Sequence, residues 1–222
     1  MAQQEAILNT VRQLFKKKSF SDFAFKDENA RVIPGSEEGL NDWMAVNYLL
    51  GSFNKPGSDG TVGVLDMGGA STEITFKPAE GTKIVADFYR QVLTKGESKS
   101  SYDVYSHSYL GLGVGQAITT FDSHCQGQPP VGTDSTWYAP CYLKGYQRAL
   151  NLPLNTCDKH MISPRHLNGT GNFDKCVAGI KKILVDVHRK CTLPPCAFDG
   201  VYQPNLRGTD FAVKNAFYEV VP

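Results

Sequence analysis

The chain has 222 residues, 41% of them hydrophobic and 20% charged, which allows a sizeable core and excludes a disordered or fibrous protein. Lys plus Arg number 23 against 22 Asp plus Glu, a net charge of +1, so no overall field steers the chain to nucleic acid or an anionic membrane. No apolar run reaches the roughly 18 residues that span a bilayer, and the first residues lack the basic and apolar regions of a secretory leader.

Residues 5–18 read as an amphipathic helix, with Ile7, Val11, Leu14 and Phe15 on one face and Lys16, Lys17 and Lys18 at its C-terminal end. Phe20, Phe23 and Phe25 alternate with polar residues, which suits a short strand or an extended segment over 19–26. Pro34-Gly35-Ser36 is a break with an N-cap residue, opening a helix over 37–50. Leu40, Trp43, Met44, Asn47 and Leu50 share one face of it, and Gly51 ends it. After a loop over 52–60, runs 62–65 and 72–76 read as strands joined through Asp66-Met67-Gly68-Gly69-Ala70-Ser71, where Gly68-Gly69 is a hairpin signal. A strand over 102–110 follows, and Gly111–Gly115 opens a helix through 116–121. Residues 122–172, rich in Gly, Pro, Cys, Asn and Thr, read as irregular and disulfide-tied. Helical spacing returns over 176–188, and 210–221 reads as a helix with Phe211, Ala212, Phe217, Tyr218 and Val221 apolar.

All six cysteines lie between Cys125 and Cys196. Such clustering suggests disulfides and an oxidising compartment, with free buried thiols as the alternative. Zinc is disfavoured, since there is no Cys-x-x-Cys pair and no His at ligand spacing beside Cys191 and Cys196. Asn168-Gly169-Thr170 is an N-glycosylation acceptor triplet and points to the same compartment. The short Pro194-Pro195 loop predicts a Cys191–Cys196 bridge.

Two stretches carry chemistry. In Val62–Phe76 a buried strand ends in an acid, turns on two glycines and returns through hydroxyls and a carboxylate. Glycine lets backbone amides approach an anion, and successive amides form an anion-binding nest. Asp66 suits a divalent ion, and Ser71 a phosphate or a water. The same residues also suit an ordinary Gly-Gly hairpin. In Ser36–Trp43, Glu37 and Glu38 stand in the first turn of a helix. There they either complement the helix dipole or present a general base to a cleft.

Together, Glu37-Glu38-Gly39-x-x-x-Trp43-x-x-x-Asn47-Tyr48-Leu49-Leu50-Gly51 and Asp66-Met67-Gly68-Gly69-Ala70-Ser71-Thr72-Glu73 closely resemble two successive signature regions of the nucleoside triphosphate diphosphohydrolases, or apyrases. Tyr105–Leu110, Cys196–Pro204 and Phe211–Tyr218 resemble later stretches of that family. A lone Asp-x-Gly-Gly-x-Ser would place the chain only in the wider actin and sugar-kinase superfamily.

The resemblance implies an α/β, RNase H-like, actin-type ATPase domain with a disulfide-containing insertion. It implies metal-dependent hydrolysis of nucleoside tri- and diphosphates by direct water attack, with Ca²⁺ or Mg²⁺. By position, Glu38 matches the catalytic base, Asp66 the acid that holds the metal through water, and Ser71 a residue holding the nucleophilic water. Gly68, Gly69, Ala70, Ser71 and Thr72 match the second phosphate-binding loop. Glu73 stands where the family has Gln; ionised, it accepts the water's hydrogen bond but cannot donate one to phosphate. The aromatic stretch implies a base platform, and Tyr218, off the apolar stripe, is its better candidate than Phe217; the alternative is that the stretch is core. Among the cysteines, Cys141–Cys176 resembles the family's pairing, and Cys125–Cys157 follows if Cys125 substitutes for the family's partner.

An N-terminal phosphate loop of the form Asp-x-Gly-Ser-Ser-x-Thr and the family's final signature region are absent from the sequence. The expectation is therefore a partial catalytic core, with 1–34 a remnant of the first domain and 35–222 most of the second. The expected partners are nucleotides rather than nucleic acid. The expected location is the extracellular space or secretory lumen, with a parent protein that the resemblance allows to be membrane-anchored. Two alternatives stand beside the enzyme: a non-catalytic nucleotide-binding fragment or isoform, and an exopolyphosphatase-type relative.

Overall fold

The computed structural model describes residues 2–17, 19–54, 60–79, 81–95, 98–123, 136–149, 166–183, 189–206 and 210–215. A five-stranded mixed sheet organises them. Its strands are β1 (Gly63–Met67), β2 (Ser71–Phe76), β3 (Phe88–Lys95), β4 (Ser98–Leu110) and β8 (Phe211–Asn215), in the order β3-β4-β2-β1-β8. All neighbours are antiparallel except β1 and β8, which are parallel. A three-stranded sheet of β5 (Thr136–Ala139), β6 (Gln147–Ala149) and β7 (His166–Gly169) lies in the order β5-β7-β6. The helices are α1 (Ala2–Phe15), α2 (Gly35–Leu49), α3 (Val114–Ser123) and α4 (Phe173–Ile183).

Helix α2 covers one face of the large sheet. Leu40 and Trp43 bury against Val64 of β1 and Val104 of β4. Asn47, fully buried, ties the helix to the entry of β1. Its amide donates to Trp43 O and Val62 O, and its Oδ1 accepts from Val62 N at 2.8 Å. Gly51, just past the helix end, takes the left-handed φ of 66° that favours glycine. On the opposite face Phe76, Tyr105 and Tyr202 form a second apolar cluster, with Phe211 packed against it. Under the small sheet, Trp137, Ala139 and Leu167 pack on Phe121 of α3, with Ile180 of α4 alongside.

Several sequence expectations are corrected. Of the two readings offered for residues 19–26, the strand is absent: with no partner strand to satisfy a ladder, Phe20 and Phe25 fold back on Phe15, each at a ring separation of 5.3 Å, and Phe23 is exposed. Ser36 is not an N-cap; Pro34 occupies that position and the helix begins at Gly35. Strand β3, paired along its whole length with the first half of β4, was not foreseen. The stretch 122–172 is not wholly irregular, because it holds the small sheet, whose strands of three or four residues are too short to alternate visibly.

The largest correction is at the C-terminal end, where Phe211–Asn215 is a strand rather than the start of a helix. A short apolar run fits either period, and pairing decides. Here β1 supplies the partner, and Gly63 leaves room for the Phe211 ring, whose Cε1 would lie 2.5 Å from a Cβ at that position. The Cys141–Cys176 and Cys191–Cys196 bridges are both present. The expected Cys125–Cys157 bridge lies outside the described residues, as do Phe217 and Tyr218.

Candidate active site

The α2 end of the large sheet concentrates the polar residues singled out above. Alternation along β1 and β2 puts Val64 and Asp66, and Thr75 and Glu73, on the face that α2 covers. Asp66 and Glu73 stand directly opposite each other in register, each 1% exposed. Opposed side chains in an antiparallel pair lie about 5 Å apart at Cβ, so two buried carboxylates share one small volume. Glu73 Oε1 accepts a 2.7 Å hydrogen bond from Ser108 of β4. Its other oxygen, Oε2, is buried and has no hydrogen-bond partner among the described residues.

The first turn of α2 is seated on this region by close contact. A Cβ at Gly35 would overlap Ser108 Oγ and lie 3.2 Å from Glu73 Oε1. One at Gly39 would come within 2.5 Å of Thr75 Oγ1 and 3.0 Å of Ser106 Oγ. Glycine at both positions lets the helix backbone lie on the strands. A hydroxyl chain then fixes it: Thr75 bonds Ser106 at 2.7 Å, Ser106 donates to Ser36 O at 2.7 Å, and Tyr89 donates to Ser36 Oγ at 2.7 Å.

The two acids of that turn differ in state. Glu37 forms a two-pronged ion pair with Arg31, whose hydrogen bonds hold its carboxyl below the usual range. Its oxygens are therefore committed to a guanidinium. Glu38 is exposed beside buried Gly39 and enters none of the described ion pairs.

The glycine turn is built from two directions. Gly68 N donates to Ser71 O at 2.9 Å, closing the β1–β2 connection. The carbonyls of Gly68, Gly69 and Ala70 accept from Val114, Gln116 and Gly111 at 2.8–2.9 Å, and Thr72 Oγ1 donates to Leu112 O at 2.8 Å. A trans peptide sets its N–H opposite its C=O. The amides of Gly69, Ala70 and Ser71 are therefore directed away from the Gly111–Gln116 segment that holds their carbonyls. Gly69 and Ala70 are exposed, and a Cβ at Gly69 would meet nothing within 4 Å. A Cβ at Gly113, by contrast, would overlap the backbone of Ala70 and Ser71.

The structure thus brings Asp66, Gly68, Gly69, Ala70, Ser71, Thr72 and Glu73 to one hairpin, with Glu38 on the helix laid over the same sheet face. The Thr72 side chain is spent on Leu112, and its backbone lies within the sheet ladder between β1 and β4, so Thr72 supports the turn rather than offering it a free group. Sequence reading missed the seat residues Ser106, Ser108 and Tyr89. It also missed the bracing role of Gly111, Gly113 and Gly115, whose alternating glycines were the available signal. No cluster of three or more His, Cys, Asp or Glu side chains able to hold a metal occurs among the described residues.

Known proteins resemble the chain over most of its length. "Probable apyrase 4" of Arabidopsis thaliana is 32% identical over 220 residues, covering 97% of this chain and 42% of that protein. "Ectonucleoside triphosphate diphosphohydrolase 1" of Mus musculus is 32% identical, covering 91% and 42% respectively. The chain therefore spans less than half the length of these relatives. A crystal structure of nucleoside triphosphate hydrolases from Neospora caninum shares the fold, with a TM-score of 0.57 at 21% identity over 93% of this chain and 46% of that one. The expected actin-type α/β fold is thereby met. The model of the GDA1/CD39 (nucleoside phosphatase) family matches residues 1–221, a span that takes in both signature regions and every element of the fold, and the chain belongs to that family.

Proposed function

We propose that the parent protein hydrolyses nucleoside tri- and diphosphates by direct attack of water on the terminal phosphate, and that this chain supplies one phosphate loop and the general base. The observation that carries the reading is the pair of buried carboxylates, Asp66 and Glu73, in register beneath an exposed, braced glycine turn. Amides of Gly69, Ala70 and Ser71 receive phosphate oxygens. Ser71 Oγ and Glu73 orient the water, and Glu38, exposed and unlike Glu37 not tied to Arg31, takes its proton. Positioning and charge stabilisation, rather than covalent chemistry by the protein, accelerate phosphoryl transfer.

The residues fit a divalent ion. Two opposed buried carboxylates, one with an oxygen that has no partner among the described residues, favour a nearby cation, and a hydrated ion needs only one or two protein carboxylates. Asp66 would hold Ca²⁺ or Mg²⁺ through water, and the ion would supply positive charge to phosphate oxygens.

Division near residue 34 is supported by the break at Pro34 and by α1, whose described side-chain bonds beyond the helix, all from Arg12, reach only Asp27 and Ala30. Tyr218 remains the proposed base platform. The paired cysteines support a secretory-lumen or extracellular location; no helix among the described residues is long and apolar enough to cross a membrane. The match to less than half of each relative favours a second reading, in which this chain binds nucleotide without turning it over. Phosphate release from ATP and ADP, measured beside nucleotide binding by calorimetry, separates the two. Release abolished in Glu38→Gln with binding kept supports the enzyme, binding without release supports the second reading, and neither overturns both.

A further inference from the structure

The small sheet has one face on its apolar core and one open face. Register places Trp137, Leu167 and Arg148 on the core side, and Thr136, Tyr138, His166, Asn168, Gln147 and Ala149 on the other. That second face floors an open groove of about 370 Å³. At its centre stands Asn168, on the middle strand, in register with Tyr138 on one side and Gln147 on the other. Its side-chain amide makes no hydrogen bond among the described residues, and Tyr138 beside it is 48% exposed.

Asn168-Gly169-Thr170 is the only Asn-x-Ser/Thr triplet in the sequence. Its middle residue is fixed by packing, since a Cβ at Gly169 would overlap Leu143 O. Nothing comparable demands Asn at 168, whose half-buried amide has no hydrogen bond among the described residues, in a sheet that other residues hold together. Thr170 is exposed, and its hydroxyl lies only loosely on Ala139 O, at 3.4 Å.

We infer that Asn168 carries an N-linked glycan whose first sugar lies on the ring of Tyr138, covering the open face of the small sheet. The donor is an oligosaccharide carried on a lipid pyrophosphate. Asn168 Nδ2 bonds to the anomeric carbon of that sugar as the sugar–oxygen bond to pyrophosphate breaks, the amide loses one proton, and the lipid pyrophosphate leaves. Cotranslational transfer reaches the extended chain, and the groove leaves the product room once the sheet forms. Opposed side chains on β5 and β7 lie within reach of a sugar's C–H face against the exposed aromatic ring.

The inference rests on the secretory location proposed above, so the test imposes the compartment and examines the site alone. The 222-residue chain, translated into endoplasmic-reticulum microsomes, is expected to gain a single endoglycosidase-sensitive increment. Asn168→Gln and Thr170→Ala lose it, and Thr170→Ser keeps it. Protease-protected chain without the increment overturns the site. For the sugar's seat, chain secreted from a eukaryotic cell is melted before and after enzymatic deglycosylation. Deglycosylation lowers Tm in the parent and in Tyr138→Phe, and by less than half as much in Tyr138→Leu or Tyr138→Ala. Equal losses in all of these overturn stacking on Tyr138.

Discussion

Gly69 and Gly113 flank the same turn, and the structure assigns them opposite sensitivities. Alanine at 113 places a methyl into the backbone of Ala70 and Ser71, which no side-chain rotation relieves. The segment must retreat, and the hydrogen bonds from Gly111 and Val114 to Ala70 and Gly68 stretch with it. Overpacking of this kind costs about 1–3 kcal/mol. Alanine at 69 meets nothing within 4 Å, and Gly69 is not among the glycines with positive φ, so its effect on stability stays within about 0.5 kcal/mol. With a urea slope of about 2 kcal/mol/M, Gly113→Ala should lower the unfolding midpoint by about 1 M and Gly69→Ala by almost nothing. Binding of a non-hydrolysable triphosphate should fall in both, in Gly69→Ala because the new methyl stands where phosphate oxygens approach the amides. An unchanged midpoint for Gly113→Ala would refute the bracing argument. Unchanged binding in a stable Gly69→Ala would refute the phosphate assignment while leaving the brace intact.

Ser108→Ala removes the one described hydrogen bond to the Glu73 carboxylate, leaving both of its oxygens unsatisfied at 1% exposure, and should cost about 1–3 kcal/mol in urea unfolding. Adding Glu73→Gln, which removes the buried charge, should recover part of that loss. Arg31→Ala breaks an exposed ion pair and should barely move the unfolding midpoint, and added salt should erase the difference from the parent. Removing the Cys141–Cys176 bridge opens a loop of sequence separation 35 and should cost about 4 kcal/mol, read against the oxidised chain in the same denaturant. Asp122, under the small sheet, accepts from Tyr142 and Arg148, yet burial raises its carboxyl above the ordinary range. Its folded state then binds more protons than the unfolded one as pH rises from about 3.9, so that share of stability falls across this window. Asp122→Asn should flatten the midpoint–pH curve there; an unaltered slope would contradict the assignment.

What was legible in the sequence was what local chemistry determines. Helix α2 announces itself by the Leu40, Trp43 and Asn47 stripe and by Gly51, and the β1–β2 hairpin by Gly68-Gly69 between two β-branched runs. Helix α3 follows its glycines as expected. Strand β8 was illegible because its partner lies far back along the chain: Gly63 pairs with Phe211, and nothing near Phe211 says so. The small sheet was hidden for a related reason. Its middle strand, β7, comes last in sequence, so each of its two pairings closes across intervening chain.

The site was legible as an inventory of residues and not as an arrangement. Spacing alone names Asp66 and Glu73, but their confrontation depends on the hairpin register that the Gly68 N to Ser71 O bond fixes. A slip of one residue would turn Glu73 to the opposite face, where Phe76 and Tyr105 pack. The glycines show the same limit more sharply. Gly69, open to solvent, and Gly113, pressed on backbone, are the same letter in sequence, and each lies in a run that reads as a turn or a helix start. One is small so that a ligand can approach, the other so that the turn can be held rigid for it. Only the three carbonyl bonds from Gly111–Gln116 distinguish them, because those bonds direct the amides of Gly69 and Ala70 outward. A phosphate loop of this kind is thus made by two segments, and a motif search over either one finds half of it.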